Sequence, residues 1–318
     1  MGKGTITKAR SKLKPAAFRE LLHKTVKFTY RNGTGLERPG DMRILAVDGS
    51  RLSLPESPAI RKRFSPRAKG PGQEGPPQAR ISVCMDVLNG IVIDALIKPL
   101  SWGERRMATW HLRFIGVGDL LLLDRGYAGA AFFKRVLRTG ADILARVKLG
   151  HCKAVNEFVR SGRTTAIVHL ADEGESIRLR AVRVDLPDGT VEVLLTSLID
   201  WTREISFFGQ IYNLRWGVET EYHFLKAPLQ LGNFTGKTVL AVEQDFYAHV
   251  FSASLLAMLV LPVHANIDHI TVNCRHAYQL QWTDAFARLR RHLHKLLLGP
   301  ADGARQLLRD LLAHMTEY

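Results

Sequence analysis

The sequence predicts an α/β fold, a mixed sheet flanked by helices, and three observations predict it. Two apolar runs each end in an aspartate, "RILAVDG" at 43–49 and "GDLLLLDRGY" at 118–127, the pattern of buried strands. Segments with helical periodicity stand beside them. Between 142 and 199 the texture changes to short alternating runs, which marks a strand-rich insert before helical periodicity returns.

Each element has its own warrant. "TITKARSKL" and "PAAFRELLHKT" read as a helix pair within 5–27, with Pro15 suited to the first turn of the second. "RILAVDGSRLSLP" (43–55) is expected to be a strand that delivers Asp48 to its end. The segment 65–80, rich in glycine and proline, reads as a mobile loop. "ISVCMDVLNGIVIDALIKP" then makes a hairpin turning at Asn89 and Gly90. "GERRMATWHLRF" predicts a helix, "GDLLLLDRGY" a strand ending in Asp124, and "AGAAFFKRVLRTG" a helix with a glycine stop. "TAIVHL", "SIRLRAVRVDL" and "TVEVLLTSL" supply the insert's strands, with a turn at Asp188 and Gly189. The expected organisation is a basic helical segment at 1–40, a core at 41–141 and 200–300, the insert at 142–199, and a C-terminal helix at 301–318.

Composition narrows the function. Lys and Arg number 45 against 30 Asp and Glu, a net charge of +15, which points to a polyanionic partner. Residues 1–40 carry ten Lys or Arg against two Glu, so +8 of the charge sits there. Three cysteines without tight spacing argue against a disulfide framework and fit a reducing cytosol. The longest apolar run, "LLAMLVLPV" at 255–263, is too short to span a bilayer and reads as a buried helix, so no membrane partner is expected.

The densest polar chemistry lies in "IYNLRWGVETEYHFLK" at 211–226. A helix turns about 100° per residue, so with Tyr212 at zero, Arg215 falls at about 300°, Glu219 at about 340° and Lys226 at about 320°. These four share one stripe, and Glu221 points the opposite way. Asp48, Asp124 and Glu219 stand apart by position, two at strand ends and one on that stripe. Carboxylates gathered at strand ends repel unless a cation joins them, and Mg²⁺ is the natural choice for hard oxygen ligands. Two such ions about 3.5–4 Å apart suit phosphoryl transfer.

The pattern Y-x2-R-x3-E-x6-K at Tyr212, Arg215, Glu219 and Lys226 resembles the signature of the insertion-sequence family four transposases. "LAVDGSRLSLP" resembles that family's first-aspartate strand, "LLLLDRGYAG" its second, and "LGNFTGKTVLAVEQDFYAHV" the run after the signature helix. The resemblance implies an RNase H-like core interrupted by a β-rich insertion, and a catalytic, metal-binding triad of Asp48, Asp124 and Glu219 served by Mg²⁺ or Mn²⁺, with two ions expected. It implies cut-and-paste transposition by a bacterial, cytoplasmic, nucleoid-associated enzyme. A 3′ hydroxyl is freed, attacks the opposite strand and, after hairpin resolution, the target. The partners implied are double-stranded DNA, at transposon ends and target, and a second copy of the chain, since two ends must be held at once. Arg215 and Lys226 are expected at phosphates, Tyr212 at a phosphate or a displaced base, and Trp102 and Trp216 as aromatic surfaces for that base. Arg125 and Tyr127 are expected to touch substrate. Family members carry a longer helical region before the first-aspartate strand, so 1–40 is expected to be the tail of an end-binding region, in a truncated copy or a short variant. A transposase-derived DNA-binding protein without strand transfer, and a stand-alone nuclease of the same core, remain open alternatives.

Overall fold

The computed structural model describes residues 3–33, 35–65, 75–172, 174–186, 189–226, 234–271 and 282–316, with 3–7, 172, 216–226, 262–271, 282–283, 297 and 313–316 described by backbone alone. Asp188 of the expected turn and 66–74 of the expected loop lie outside these residues.

One mixed sheet organises the chain. Its strands are β1 (Arg43–Ser53), β2 (Gln78–Asp86), β3 (Ile91–Pro99), β4 (Asp119–Leu123), β5 (Asp142–Val147), β6 (Thr165–Asp172), β7 (Glu175–Asp185) and β8 (Val191–Thr196). They lie in the order β3-β2-β1-β4-β5-β8-β7-β6. β1, β2 and β3 pair antiparallel, β4 and β5 add in parallel, and β8, β7 and β6 continue antiparallel. The helices are α1 (Lys3–Lys12), α2 (Pro15–Asn32), α3 (Pro58–Phe64), α4 (Glu104–His111), α5 (Ala130–Leu137), α6 (Lys153–Arg160), α7 (Ile205–Lys226), α8 (Val239–Thr271), α9 (Trp282–Leu298) and α10 (Ala301–Thr316).

The parallel centre explains the unbroken leucines. All five residues of β4 are buried, as expected of a strand covered on both faces. β1 is buried from Ile44 to Val47 and then emerges, with Asp48 only half-buried. Asp48 does not end the strand, contrary to expectation: β1 continues to Ser53 because β2 keeps pairing with it, from Asp48↔Val83 to Ser53↔Gln78. The β2–β3 hairpin turns where the sequence places it, Gly90 taking φ 62°, which favours glycine. Asp86 fixes that turn by accepting from the Leu88 and Asn89 amides at 3.1 and 3.2 Å.

Three differences from expectation have physical causes. Residues 142–147 belong to the central sheet rather than to a separate insert, since β5 pairs in parallel with β4 from Leu120↔Asp142 to Leu123↔Ala145. The remaining strands extend the same sheet through β8, which pairs with β5 at Leu144↔Thr196. β2 already begins at Gln78, inside the stretch expected as loop. Helices α3 and α6 are additional short elements; α3 starts at Pro58, capped by the Ser57 hydroxyl accepting from the Ile60 amide at 3.3 Å.

Helix α2 is tied to the sheet by a buried polar knot centred on Asp94 of β3. Arg19 donates to its carboxylate at 2.9 and 3.0 Å, His23 lies 2.9 Å away and His111 Nδ1 2.8 Å away. His111 Nε2 in turn meets the Ser82 hydroxyl at 3.0 Å. Helix α8 packs against α2 and β3. Its Val239–Leu261 stretch is long and apolar enough to cross a membrane, but 72% of it is packed inside the fold, as in a core helix.

Candidate active site

The site begins with strand register. β1 and β4 pair in parallel from Arg43↔Asp119 to Ala46↔Leu122. Two residues further along each chain stand Asp48 and Asp124, so the same register sets them side by side where the strands leave the core. Neighbouring strands lie about 4.8 Å apart, so this register carries the two backbones out of the core as neighbours. The other end of this strand pair is closed by Arg43, whose guanidinium donates to Asp119 at 2.6 and 2.7 Å.

The chain turns sharply after Asp124, with the Tyr127 amide donating to the Asp124 carbonyl at 2.9 Å. Arg105 of α4 holds this turn from outside, donating to the carbonyls of Gly126 and Ala128, both at 2.8 Å. The turn sends Tyr127 inward: it is 2% exposed and its hydroxyl is buried without a hydrogen-bond partner. A Cβ on Gly49 would lie 3.4 Å from that hydroxyl and 2.9 Å from Glu104 Cγ, so only glycine lets these groups approach. Burial first, then the charges of Asp48 and Glu104, push the Tyr127 hydroxyl well above the ordinary tyrosine range.

Helix α7 closes the site from the side. Arg215, 8% exposed, sets Nη2 3.2 Å from Asp124 Oδ2. Burial disfavours its charge, but Tyr212, Asp124 and Asp48 outweigh that and hold its pKa above the ordinary value. Tyr212 is buried beneath it and donates to the Leu123 carbonyl at 3.4 Å. Burial pushes the Tyr212 hydroxyl up to about 12, with the Arg215 charge acting in the opposite direction. The stripe therefore faces the sheet at these two positions. Glu219 follows Arg215 by one helical turn on the same side, about 6 Å along the axis. The side chains of Glu219, Trp216 and Lys226 lie outside the described residues.

The other expected residues fall at different distances from the chemistry. Arg125 leans away from the carboxylates toward β8, its Nη2 3.6 Å from Glu192, which also pairs with Arg146. Trp102 packs with Trp110, ring centroids 5.9 Å apart, beneath the Arg106 guanidinium at 3.9 Å. Glu104, which sequence reasoning missed, opens α4 facing Gly49 and Tyr127 and pairs with Arg80. Its one sequence signal is its position as the acidic first residue of a helix.

The donor chemistry fits a hard divalent cation. Two carboxylates are set side by side and a third, Glu219, is carried on the adjoining helix. Among the described residues no group of three or more His, Cys, Asp or Glu is arranged to hold a metal.

Residues 39–256 match the family model described as "Transposase DDE domain", a span that takes in Asp48, Asp124 and Glu219. The transposase InsG of insertion sequence element IS4 from Escherichia coli (strain K12) is 22% identical over 319 residues, covering 96% of this chain and 71% of InsG. Among solved structures, the piggyBac transposase synaptic complex with hairpin DNA aligns at TM-score 0.44 and 12% identity, covering 87% of this chain and 58% of that one. The family match runs over more than half of the sequence and holds both strand-borne aspartates, and the InsG match extends over nearly all of it: the chain belongs to the DDE transposases of the insertion-sequence family four.

Proposed function

We propose that the chain cuts and joins DNA at the terminal inverted repeats of an insertion sequence, with Asp48, Asp124 and Glu219 as the catalytic carboxylates. The observation that carries this reading is the parallel register of β1 and β4, which aligns Asp48 with Asp124 where the two strands emerge. The antiparallel β1–β3 followed by parallel β4 and β5 supports an RNase H-like core. Mg²⁺ or Mn²⁺, two ions in this reading, would supply activation of a hydroxyl nucleophile and stabilisation of the leaving oxygen.

The chain's own residues do the rest. The register of β1 and β4 brings the Asp48 and Asp124 backbones out of the core as neighbours, and in this reading both carboxylates turn toward the ions. Arg215 orients the Asp124 carboxylate through its 3.2 Å contact, and its buried charge offsets part of the carboxylate repulsion. Tyr212 braces Arg215 against β4, and Tyr127 fills the space behind both aspartates, keeping water from the rear of the site. Lys226, Trp216 and Arg125 are assigned to the DNA strand, where lysine acts as a point charge on phosphate and an aromatic face offsets base unstacking. The substrate is double-stranded DNA, and two copies of the chain act on paired ends.

The test is incubation of the purified chain with end-containing DNA and Mg²⁺ or Mn²⁺. Nicking and joined products are expected, lost in Asp48→Ala and Asp124→Ala. Cleavage that persists in both variants would overturn the assignment. Binding without any cutting by the unmodified chain would favour a DNA-binding descendant of a transposase.

A further inference from the structure

Beyond the carboxylates, helix α4 and the residues flanking it carry a second cluster that the proposed catalytic roles leave unused. Arg106 and Trp110 stand one turn apart on α4, with Trp102 just before the helix and Arg113 in the short turn just after it. The Arg106 guanidinium lies 3.9 Å from the Trp102 ring centre and that of Arg113 4.6 Å from Trp110. Lys98 sets its ammonium 5.0 Å from Trp102 and 5.7 Å from Trp110. Trp110 remains 38% exposed. A cavity of about 560 Å³ opens beside it between α4 and α5, lined by Arg105, Arg106, Thr109, Trp110, Phe132 and Arg135 among others, with no carboxylate in its wall among the described residues. Arg106 and Arg135 are both exposed and pair with no acid among the described residues. The uncapped N-terminus of α5, at Gly129–Ala131, forms another part of the wall and adds its own partial positive charge.

Three arginines around a concave surface, with an exposed indole at its rim, are a chemistry for phosphodiester backbone. Guanidinium forks match phosphate oxygens, and an indole accepts a sugar or base face without demanding a sequence. One side chain links the cavity to the turn that follows Asp124: Arg105 lines the one and grips Gly126 and Ala128 in the other.

We propose that the α4–α5 cavity is a backbone-binding track for DNA, taking the strand as it runs on from the carboxylates, with Arg106 and Arg135 on phosphates and Trp110 against a sugar or base. This rests on the reading of DNA as substrate. The track binds single-stranded DNA and the backbone of a duplex through the same phosphodiester chemistry.

The test uses the full chain in metal-free buffer, so that binding is read apart from cleavage. Fluorescently labelled single-stranded and duplex oligonucleotides are titrated across a series of salt concentrations. Arg106→Ala with Arg135→Ala is expected to weaken binding at least tenfold and to lower the log–log salt slope by about 1.5–2, with an unchanged melting temperature. A loss on the single strand alone or on the duplex alone supports the track and identifies the form it holds. An oligonucleotide carrying a photoreactive base is also expected to cross-link to the peptide containing Trp110. Unchanged affinity and slope on both forms, or cross-links that all fall elsewhere, would overturn the proposal. Metal-dependent cutting by the same protein would then leave the catalytic reading standing, whereas loss of cutting with the cross-link retained would remove that reading and leave the track.

Discussion

Replacing Asp94 by asparagine removes the charge at the centre of the knot that fastens α2 to the sheet. The carboxylate has a fully buried side chain and is met by Arg19, His23 and His111. Burial by itself pushes its pKa up, but the hydrogen bonds from His111, His23 and Arg19 outweigh burial and hold it well below the usual carboxylate range. Removing one partner of a buried pair costs about 3–5 kcal/mol. Asparagine keeps one oxygen acceptor and the Arg19 side chain stays 22% exposed, so the lower end applies, about 3 kcal/mol. At about 2–4 °C per kcal/mol for a chain of this order, the melting temperature should fall by about 6–12 °C. Because the folded pKa lies below the unfolded value, the Asp94 contribution is complete above pH of about 4 and fades as pH falls from there toward the folded value. The acid limb of a denaturation series should therefore be steeper in the natural chain than in Asp94→Asn. Equal melting temperatures and parallel acid limbs would refute the reasoning.

Two further outcomes follow from the packing behind the aspartates. Tyr127→Phe deletes a buried hydroxyl that has no partner, so stability in urea denaturation should be unchanged or rise by about 1–2 kcal/mol; a clear loss would mean the hydroxyl is satisfied. Gly49→Ala forces a methyl to within 2.9 Å of Glu104 Cγ and should cost about 1–3 kcal/mol by the same measurement, with Glu104→Ala in the same chain recovering part of it.

Much of this arrangement was legible in the sequence, because short-range patterns carried it. An unbroken leucine run closing on an acid specifies a strand covered on both faces, and β4 with Asp124 is that. The angular bookkeeping on α7 placed Tyr212 and Arg215 on one face correctly, but periodicity does not say what a face looks at. Both residues look at the sheet, with exposures of 3% and 8%, and Arg215 reaches across the fold to an acid at Asp124. Asp48 looked like a strand end because the apolar run stops at it; pairing with β2, a partner that starts 30 residues later, carries the strand through. The Asp94 knot draws on Arg19, His23, Ser82 and His111, and Arg125 meets Glu192, contacts between positions with no local signature. The junction at 142 was misplaced for the same reason. β5 resembles the strands after it in texture, and only its parallel pairing with β4 assigns it to the centre.

The central claim is that the sheet sets Asp48 and Asp124 together to hold a divalent cation beside DNA. Calorimetric titration of Mn²⁺ into the protein, natural and with Asp48→Asn or Asp124→Asn, tests it most directly, with melting curves confirming that all three are folded. The account predicts saturable binding that either substitution abolishes or weakens at least tenfold. Undiminished Mn²⁺ binding in both folded variants would contradict it.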